Sequence, residues 1–373
     1  MSDAPVDALV AGAGVAGLEA LLALRALAGD RVRLTVLTPA DTFVLRAASV
    51  GTPFGRGRAP EHPIAPIAAE QGARLVRGAL QRVRRDEHVA VTHDGEELRY
   101  GALVVAVGAV PQTPYPEALT FHGPSDADAM AATLRELEAG RLGRIAFVLP
   151  PGITWPLPLY ELALLTAAHA ELYRLDADIA FVTPDDAPLA ALGAEVSRHA
   201  ARALDEAGVT VHAGVAVRDV EPGGALVAAS GDVVARADAV VTVPRLHGPA
   251  VAGLPANEEG FLPVDERGAV PGAPDVFGAG DATASQLKHG GLGAQQAEAV
   301  ARAIAQRAGA AVVAPSQPPV IRARLLEGPR LTHVRAPVGA SSAAVLSDEA
   351  LWWPPLKVAA PRLAAYLASR GSS

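Results

Sequence analysis

Three glycines in fixed register, Gly12-x-Gly14-x-x-Gly17, stand between an apolar run at Val6–Ala11 and a run of helix formers at Leu18–Leu27. A second apolar run, Arg33–Leu37, follows. Strand, glycine turn, helix and strand make the βαβ unit of a parallel sheet. Gly12 permits a tight turn, Gly14 lets backbone approach a diphosphate, and Gly17 lets the helix close on the strand. The helix N-terminus then faces phosphate charge. A glycine turn made only for packing would carry the same letters. Glu19 and Arg25 are read on the polar side of this helix.

An acid at the tip of the second strand would bind ribose hydroxyls. Here the strand ends in Thr38, with Asp41 close by. Thr38 can hydrogen-bond a hydroxyl more weakly, and Asp41 reads equally as a turn cap. Segment 41–70 is rich in Pro, Gly and Arg and reads as an extended excursion that includes Arg46. Leu103–Val107 is a buried strand ending at Gly108, which also suits an ordinary core. Val276–Gly278 runs into Gly280–Asp281, and the long helix Gly290–Arg307 follows. Asp281 can accept from sugar hydroxyls or simply cap a loop.

Composition narrows the function. Half of the 373 residues are apolar and 19% are charged, which describes a large core rather than disorder. The net charge is -8 and no basic run stands out, so nucleic acid is not expected as a partner. Cysteine is absent, which removes disulfides, thiolate metal sites and thiol nucleophiles. The ten histidines are scattered, and no metal site is expected. Prolines and Glu161 interrupt the apolar stretch Ile145–Ala168, so it does not read as a membrane span. No leader is read before Val6, and a cytoplasmic location is the default expectation.

A second βαβ unit is read from Ile145–Leu149, Leu157–Leu172 and Ile179–Val182. Helices are expected at Asp126–Ala139 and Glu195–Ala207. Strands are expected at Leu75–Val83, Thr210–Ala213 and Val240–Pro244, the last returning toward the first unit. A hairpin is expected around Gly328–Pro329, then a proline-interrupted helix with Trp352 and Trp353.

The glycine turn, the strand to Gly108 and the Gly280–Asp281 turn, taken in this order, resemble the pyridine nucleotide–disulfide oxidoreductase family. Within it the pattern is similar to sulfide:quinone oxidoreductases, flavocytochrome c sulfide dehydrogenases and type II NADH dehydrogenases. The resemblance implies an α/β fold with two Rossmann-like domains, the first discontinuous, plus a small C-terminal α+β segment. The boundaries expected are 1–112 and 236–310 for the FAD-binding domain, 113–235 for the NAD(P)-binding-like domain, and 311–373 for the C-terminal hairpin and helix.

FAD is the cofactor implied, held by Gly12, Gly14, Gly17, Thr38, Arg46, Gly108, Gly280, Asp281 and Gly291. Phe261–Asp265 resembles the family's approach to this site. Lys288 and Glu161 are the catalytic candidates: Lys288 to stabilise the reduced flavin's negative edge, Glu161 as a buried acid near it. A surface lysine and a helix glutamate paired with arginine are the alternatives. Trp155 reads either as the wall of a flat substrate pocket or as core.

The second turn, Leu149 to Pro156, lacks the glycine fingerprint and carries Pro150, Pro151 and Pro156, so NAD(P)H binding stays open. Without cysteine, transfer must run directly between flavin and substrate. The reading is an FAD-dependent oxidoreductase. It moves a hydride or electron pair through flavin N5 from NAD(P)H or a small reduced donor to a quinone, dioxygen or an electron-transfer protein. A non-catalytic flavin-binding protein is the alternative. Weak membrane-surface contact through Trp352–Leu367, on the inner membrane face, and a homodimer are left open.

Overall fold

The computed structural model describes residues 4–313, 318–339 and 344–370; the ends of the expected domains at 1–3 and 371–373 lie outside them. Seven α-helices are used below: α1 Val15–Ala28, α2 Ile64–Glu70, α3 Ala127–Glu138, α4 Leu157–Tyr173, α5 Ala194–Glu206, α6 Gly290–Arg307 and α7 Leu363–Ser369.

The first sheet has six strands in the order Ala269–Val270, Ala273–Gly278, Ala102–Val105, Val6–Ala11, Val32–Thr38, Arg74–Arg77. All neighbours are parallel except the first pair. Ala11 lies opposite both Leu37 and Val105, and Val105 lies opposite Gly278. This register delivers Gly12, Thr38, Gly108 and Gly280 to one edge of the sheet, outside the carboxyl ends of the strands, where open α/β sheets bind ligands.

Helix α1 lies against this sheet and α6, and its Leu18, Leu21 and Leu24 are fully buried. Each contributes roughly 2 kcal/mol of apolar burial. Glu19 shares that burial, so it does not lie on a polar face as the sequence suggested.

The second sheet is wholly parallel, in the order Leu119–Thr120, Ala239–Thr242, Arg144–Val148, Asp178–Val182, Thr210–His212. The strand expected to return to the first unit at Val240 therefore belongs to the second. Pairing with Ile145–Phe147 places it there, beyond the boundary expected at 236. The crossing between units is an antiparallel ribbon of Val110–Gln112 with Arg245–His247.

Other differences are local. Leu75–Val83 is two strands, Arg74–Arg77 and Leu80–Arg84, broken at Gly78 with φ +152°. The 41–70 excursion folds into a hairpin, a 3-10 turn at Arg46–Phe54, and α2. A three-stranded sheet over Val217–Arg236 went unread. No helix forms at Trp352; the chain becomes helical only at α7.

The hairpin Val320–Glu327 with Arg330–Pro337 forms as expected, joined by Val345–Ser347. Ile321, Ala323 and Leu325 share a core with the buried face of α4. Among the described residues no helix is long and apolar enough to cross a membrane.

Candidate functional site

The glycine cradle of the first unit divides into two pairs. A Cβ on Gly12, whose φ is +108°, would enter the carbonyl of Ala106, and one on Gly17 would enter the carbonyl of Gly12. These two are glycine because backbone packs on backbone. Gly14 and Gly108 have no atom within 4 Å of a Cβ. They face open space, with Gly14 exposed as the cap of α1 and Gly108 at φ +79°. The N–H groups of the first turn of α1 point into that space.

The second loop meets the first. A Cβ on Gly280 would lie 2.8 Å from Cβ of Ala16, and one on Gly293 would lie 3.0 Å from Cα of Gly280. The Gly280 amide donates to Oε1 of Gln296 at 2.8 Å, and the Asp281 side chain does not cap the 3-10 turn Gly280–Ala282 in which it sits. The Asp281 carboxylate accepts no hydrogen bond from the described residues. Burial raises its pKa, and the cations of Lys288 and Arg46 oppose that rise. A half-buried acceptor without a donor, beside an open helix N-terminus, suits a sugar chain and a diphosphate. FAD fits this cradle: Gly12–Gly17 would hold its diphosphate, Asp281 its sugar chain.

Lys288 is only 6% exposed. Its ammonium donates to the carbonyl of Thr283 and sits 3.6 Å from the ring centroid of Phe261. Burial pulls its pKa down to about 8, while Asp281 and Glu259 pull the other way. Phe261–Asp265 thus meets the site through this cation–π contact. At the ribose tip, Thr38 is buried and its Oγ1 accepts from the amide of Ala40 at 3.2 Å. Asp41 is exposed and paired with Arg77 at 2.5 Å.

The N-terminus of α6 is built differently. His289 caps it, with Nδ1 accepting from the amide of Leu292 at 3.3 Å. Burial and the nearby Lys357 push its pKa down to about 4, and the ring bonds the backbone of Arg322. A neutral ring with Nδ1 as acceptor must donate through Nε2. Trp155 lies on the other side, 4.4 Å between ring centroids. Gly290 and Gly291 pass under the C-terminal chain: a Cβ on the first would lie 3.1 Å from Val358, and on the second 3.4 Å from the carbonyl of Ala359.

Glu161 is fully buried on α4. One oxygen accepts from Nζ of Lys357 and from the amide of Leu326 at 2.9 Å; the other has no partner. Burial raises its pKa, and Lys357 is the largest opposing influence. Its partner is thus a lysine of the C-terminal segment and a strand amide, rather than an arginine.

The same contacts reveal a pattern along Val320–Glu327, the outer strand of the C-terminal sheet. Gln295 bonds both N–H and C=O of Val320 at 2.9 Å, and His289 bonds Arg322. Lys357 donates to the carbonyl of Arg324 at 2.7 Å, and Glu161 accepts from Leu326.

The second unit has no comparable cradle. Gly152 has φ +82° and open space, but Pro150 and Pro151 before it lack N–H donors. At the next strand tip, Oγ1 of Thr183 accepts from the amide of Asp185 at 3.1 Å, repeating the Thr38 turn. Burial and Asp186 raise the pKa of Asp185.

The structure thus brings Gly12, Gly14, Gly17, Gly108 and Gly280 to the carboxyl edge of the first sheet, with Asp281 between the charges of Lys288 and Arg46 and Thr38 at the next strand tip. Gly291, Trp155 and Glu161 lie toward the second unit. Lys357, His289 and Glu19 join these contacts without being candidates in the sequence. Their signals were available: Lys357 is one of two lysines, and Glu19 stands among Leu and Ala on every side. Among the described residues no acidic, His or Cys group could hold a metal.

Residues 161–307 match the family described as Pyridine nucleotide-disulphide oxidoreductase. No curated protein matches the sequence. Among solved structures, the chain is similar to the sulfide:quinone oxidoreductase from Aquifex aeolicus, with TM-score 0.82 and 21% identity, covering 92% of this chain and 86% of that one. It is also similar to a ferredoxin reductase from Rhodopseudomonas palustris, with TM-score 0.69 and 17% identity over 90% and 84%. A covalent putidaredoxin reductase–putidaredoxin complex gives TM-score 0.66 and 20% identity over 89% and 81%. At these identities the likeness to solved structures is one of fold.

Proposed function

We propose that this chain, whose residues 161–307 match the pyridine nucleotide–disulphide oxidoreductase family, is an FAD-dependent oxidoreductase that passes electrons without any sulfur relay. The donor is NAD(P)H or a small reduced molecule. The acceptor is a quinone, dioxygen or an electron-transfer protein. Bound FAD supplies two-electron transfer at its N5.

The chain's own part is binding, charge and exclusion of water. The first-turn amides of α1 hold the diphosphate, and Asp281 takes the sugar hydroxyls. Arg46 and Lys288 keep the groove positive beside Asp281. Lys288, its pKa pulled down to about 8 by burial, places its ammonium charge beside Asp281. The N-terminus of α6, with Gly291 in its first turn, adds the positive end of a helix dipole. The unpartnered oxygen of Glu161 is a buried site for a proton. Trp155 on His289 offers a flat wall to a planar donor or acceptor. Trp353, 87% exposed, is the contact offered to a protein partner, a second copy or a membrane surface.

One observation carries the reading: the unbonded Asp281 carboxylate is brought against the open start of α1 by the Gly280–Ala16 contact. Anaerobic titration with NADH, NADPH, sulfide and a quinol tests it. Bleaching of the flavin band by one of these donors supports the enzyme. A yellow protein that none of them reduces points to the non-catalytic flavin binder, which the prolines of the second turn favour. A colourless protein that gains no FAD on reconstitution overturns both.

A further inference from the structure

Each nucleotide-type unit carries one fully buried glutamate at the fifth position of the helix that follows its turn: Glu19 in α1 and Glu161 in α4. Both glutamates bind the same C-terminal segment. The Glu19 carboxylate accepts from the amides of Arg362 and Leu363 at 2.8 and 2.7 Å, at the start of α7. The guanidinium of Arg362 is tied to Glu298 of α6, and Glu298 also pairs with Arg302 at 3.4 Å. Glu161 holds Nζ of Lys357, five residues earlier in the chain. Between the two attachments, Val358 and Ala359 cross Gly290 and Gly291 at the start of α6.

We propose that residues 356–370 are a clasp that fixes the two units to each other across the N-terminus of α6, and that Lys357 is its positioning residue. Lys357 does not touch a reacting atom. It acts by pinning the chain that roofs Gly290 and Gly291. That this roof covers the flavin ring rests on the function proposed above; the clasp itself does not.

The physical reason is that a buried ammonium has few places to go. Nζ of Lys357 bonds Glu161 and the carbonyl of Arg324. Arg324 also donates to the carbonyl of Pro355 at 2.9 Å, on the same stretch of the clasp. Around Lys357 the charged or titratable groups are Glu161, Arg324 and His289. Removing either member of the pair leaves the other charge buried without compensation, whereas removing both does not. The Lys357 attachment is therefore strong as a specifier of position, whatever its net contribution to stability.

Hydrogen exchange of the full-length protein, with flavin as isolated, tests this. Lys357→Met and Glu161→Gln are each expected to speed exchange at 356–360 and 289–292 by at least about tenfold, as local opening without global unfolding. The double variant Glu161→Gln/Lys357→Met is expected to return most of that protection. Iodide quenching of bound flavin should rise and fall in step. Unchanged exchange in the single variants, or equal loss in singles and double, overturns the clasp. If Lys357→Met does not fold, Glu161→Gln against the double gives the same decision. Altered exchange without altered quenching keeps the clasp and removes the flavin ring from beneath it.

Discussion

In the first unit the chain passes from strand to helix through Gly12, Gly14 and Gly17; in the second the equivalent passage runs through Pro150, Pro151, Gly152 and Pro156. The strand pairs on either side are alike: parallel, with the helix packed over them and a threonine turn at the next strand tip. Topology is thus retained where the chemistry of the turn is not. A sheet and helix need only apolar periodicity, while a phosphate cradle needs free amides and the absence of Cβ atoms at particular points. Scaffold and site are separate requirements, and the second unit meets the first without the second.

The sharpest way to break this contrast is to place a side chain at the two turns. Gly17→Val forces atoms into the Gly12 carbonyl and should cost more than about 4 kcal/mol, with loss of folded, yellow protein. Gly152→Ala meets no atom and should cost only about 1 kcal/mol for its positive φ. Flavin-to-protein ratio and Tm check both.

The buried glutamates give the next effect. Burial lifts Glu19 from 4.5 to about 7, with Glu298 adding to the rise and Arg362 and the two amides opposing it. The folded state therefore holds a proton that the unfolded chain has released. That contribution is whole below pH 4.5 and is lost as pH rises through 7. It is on the order of 3 kcal/mol. His289, pulled down to about 4, has the opposite sign, because its contribution is present above 6.5 and lost as pH falls through 4. Wild type alone would mask both. The Tm of Glu19→Gln minus that of wild type should grow between about pH 5 and about pH 8. A flat difference would show that Glu19 does not titrate there.

Asp281→Asn should weaken FAD by about 2 kcal/mol, or roughly thirtyfold, as a charged acceptor becomes a neutral one. Asp185→Asn in the second unit should leave FAD affinity unchanged. Reconstitution titrations followed by flavin fluorescence separate the two. Smallest of all, Pro151→Ala restores one N–H and should tighten NADH by about 0.5–1.5 kcal/mol. No change on titration would mean that the second turn does not face a diphosphate.

Much of this was legible in the letters because local rules and tertiary need agreed. Helix α6 was read at its observed ends, and the strand at Val6–Ala11 likewise, because apolar runs there are bounded by glycine turns. The helix expected at Trp352 does not form, because the prolines beside it set an extended path rather than interrupting a helix. The strand at Val240 was assigned to the wrong sheet because a buried parallel strand looks alike in either. The buried roles of Glu19 and Lys357 are illegible in the sequence for one reason. Their partners lie 343 and 196 residues away in the chain, a separation that no local pattern encodes.

The bonding along Val320–Glu327 has a consequence for self-association. An outer strand with free amides and carbonyls is a template for another chain to extend the sheet. Here Gln295, His289, Lys357 and Glu161 each occupy at least one such group on Val320, Arg322, Arg324 and Leu326 in turn, so the border offers an intruding strand only an interrupted ladder. Side chains placed around Glu161 and the start of α6 thus also break up the row of groups that templated strand addition along this hairpin would need.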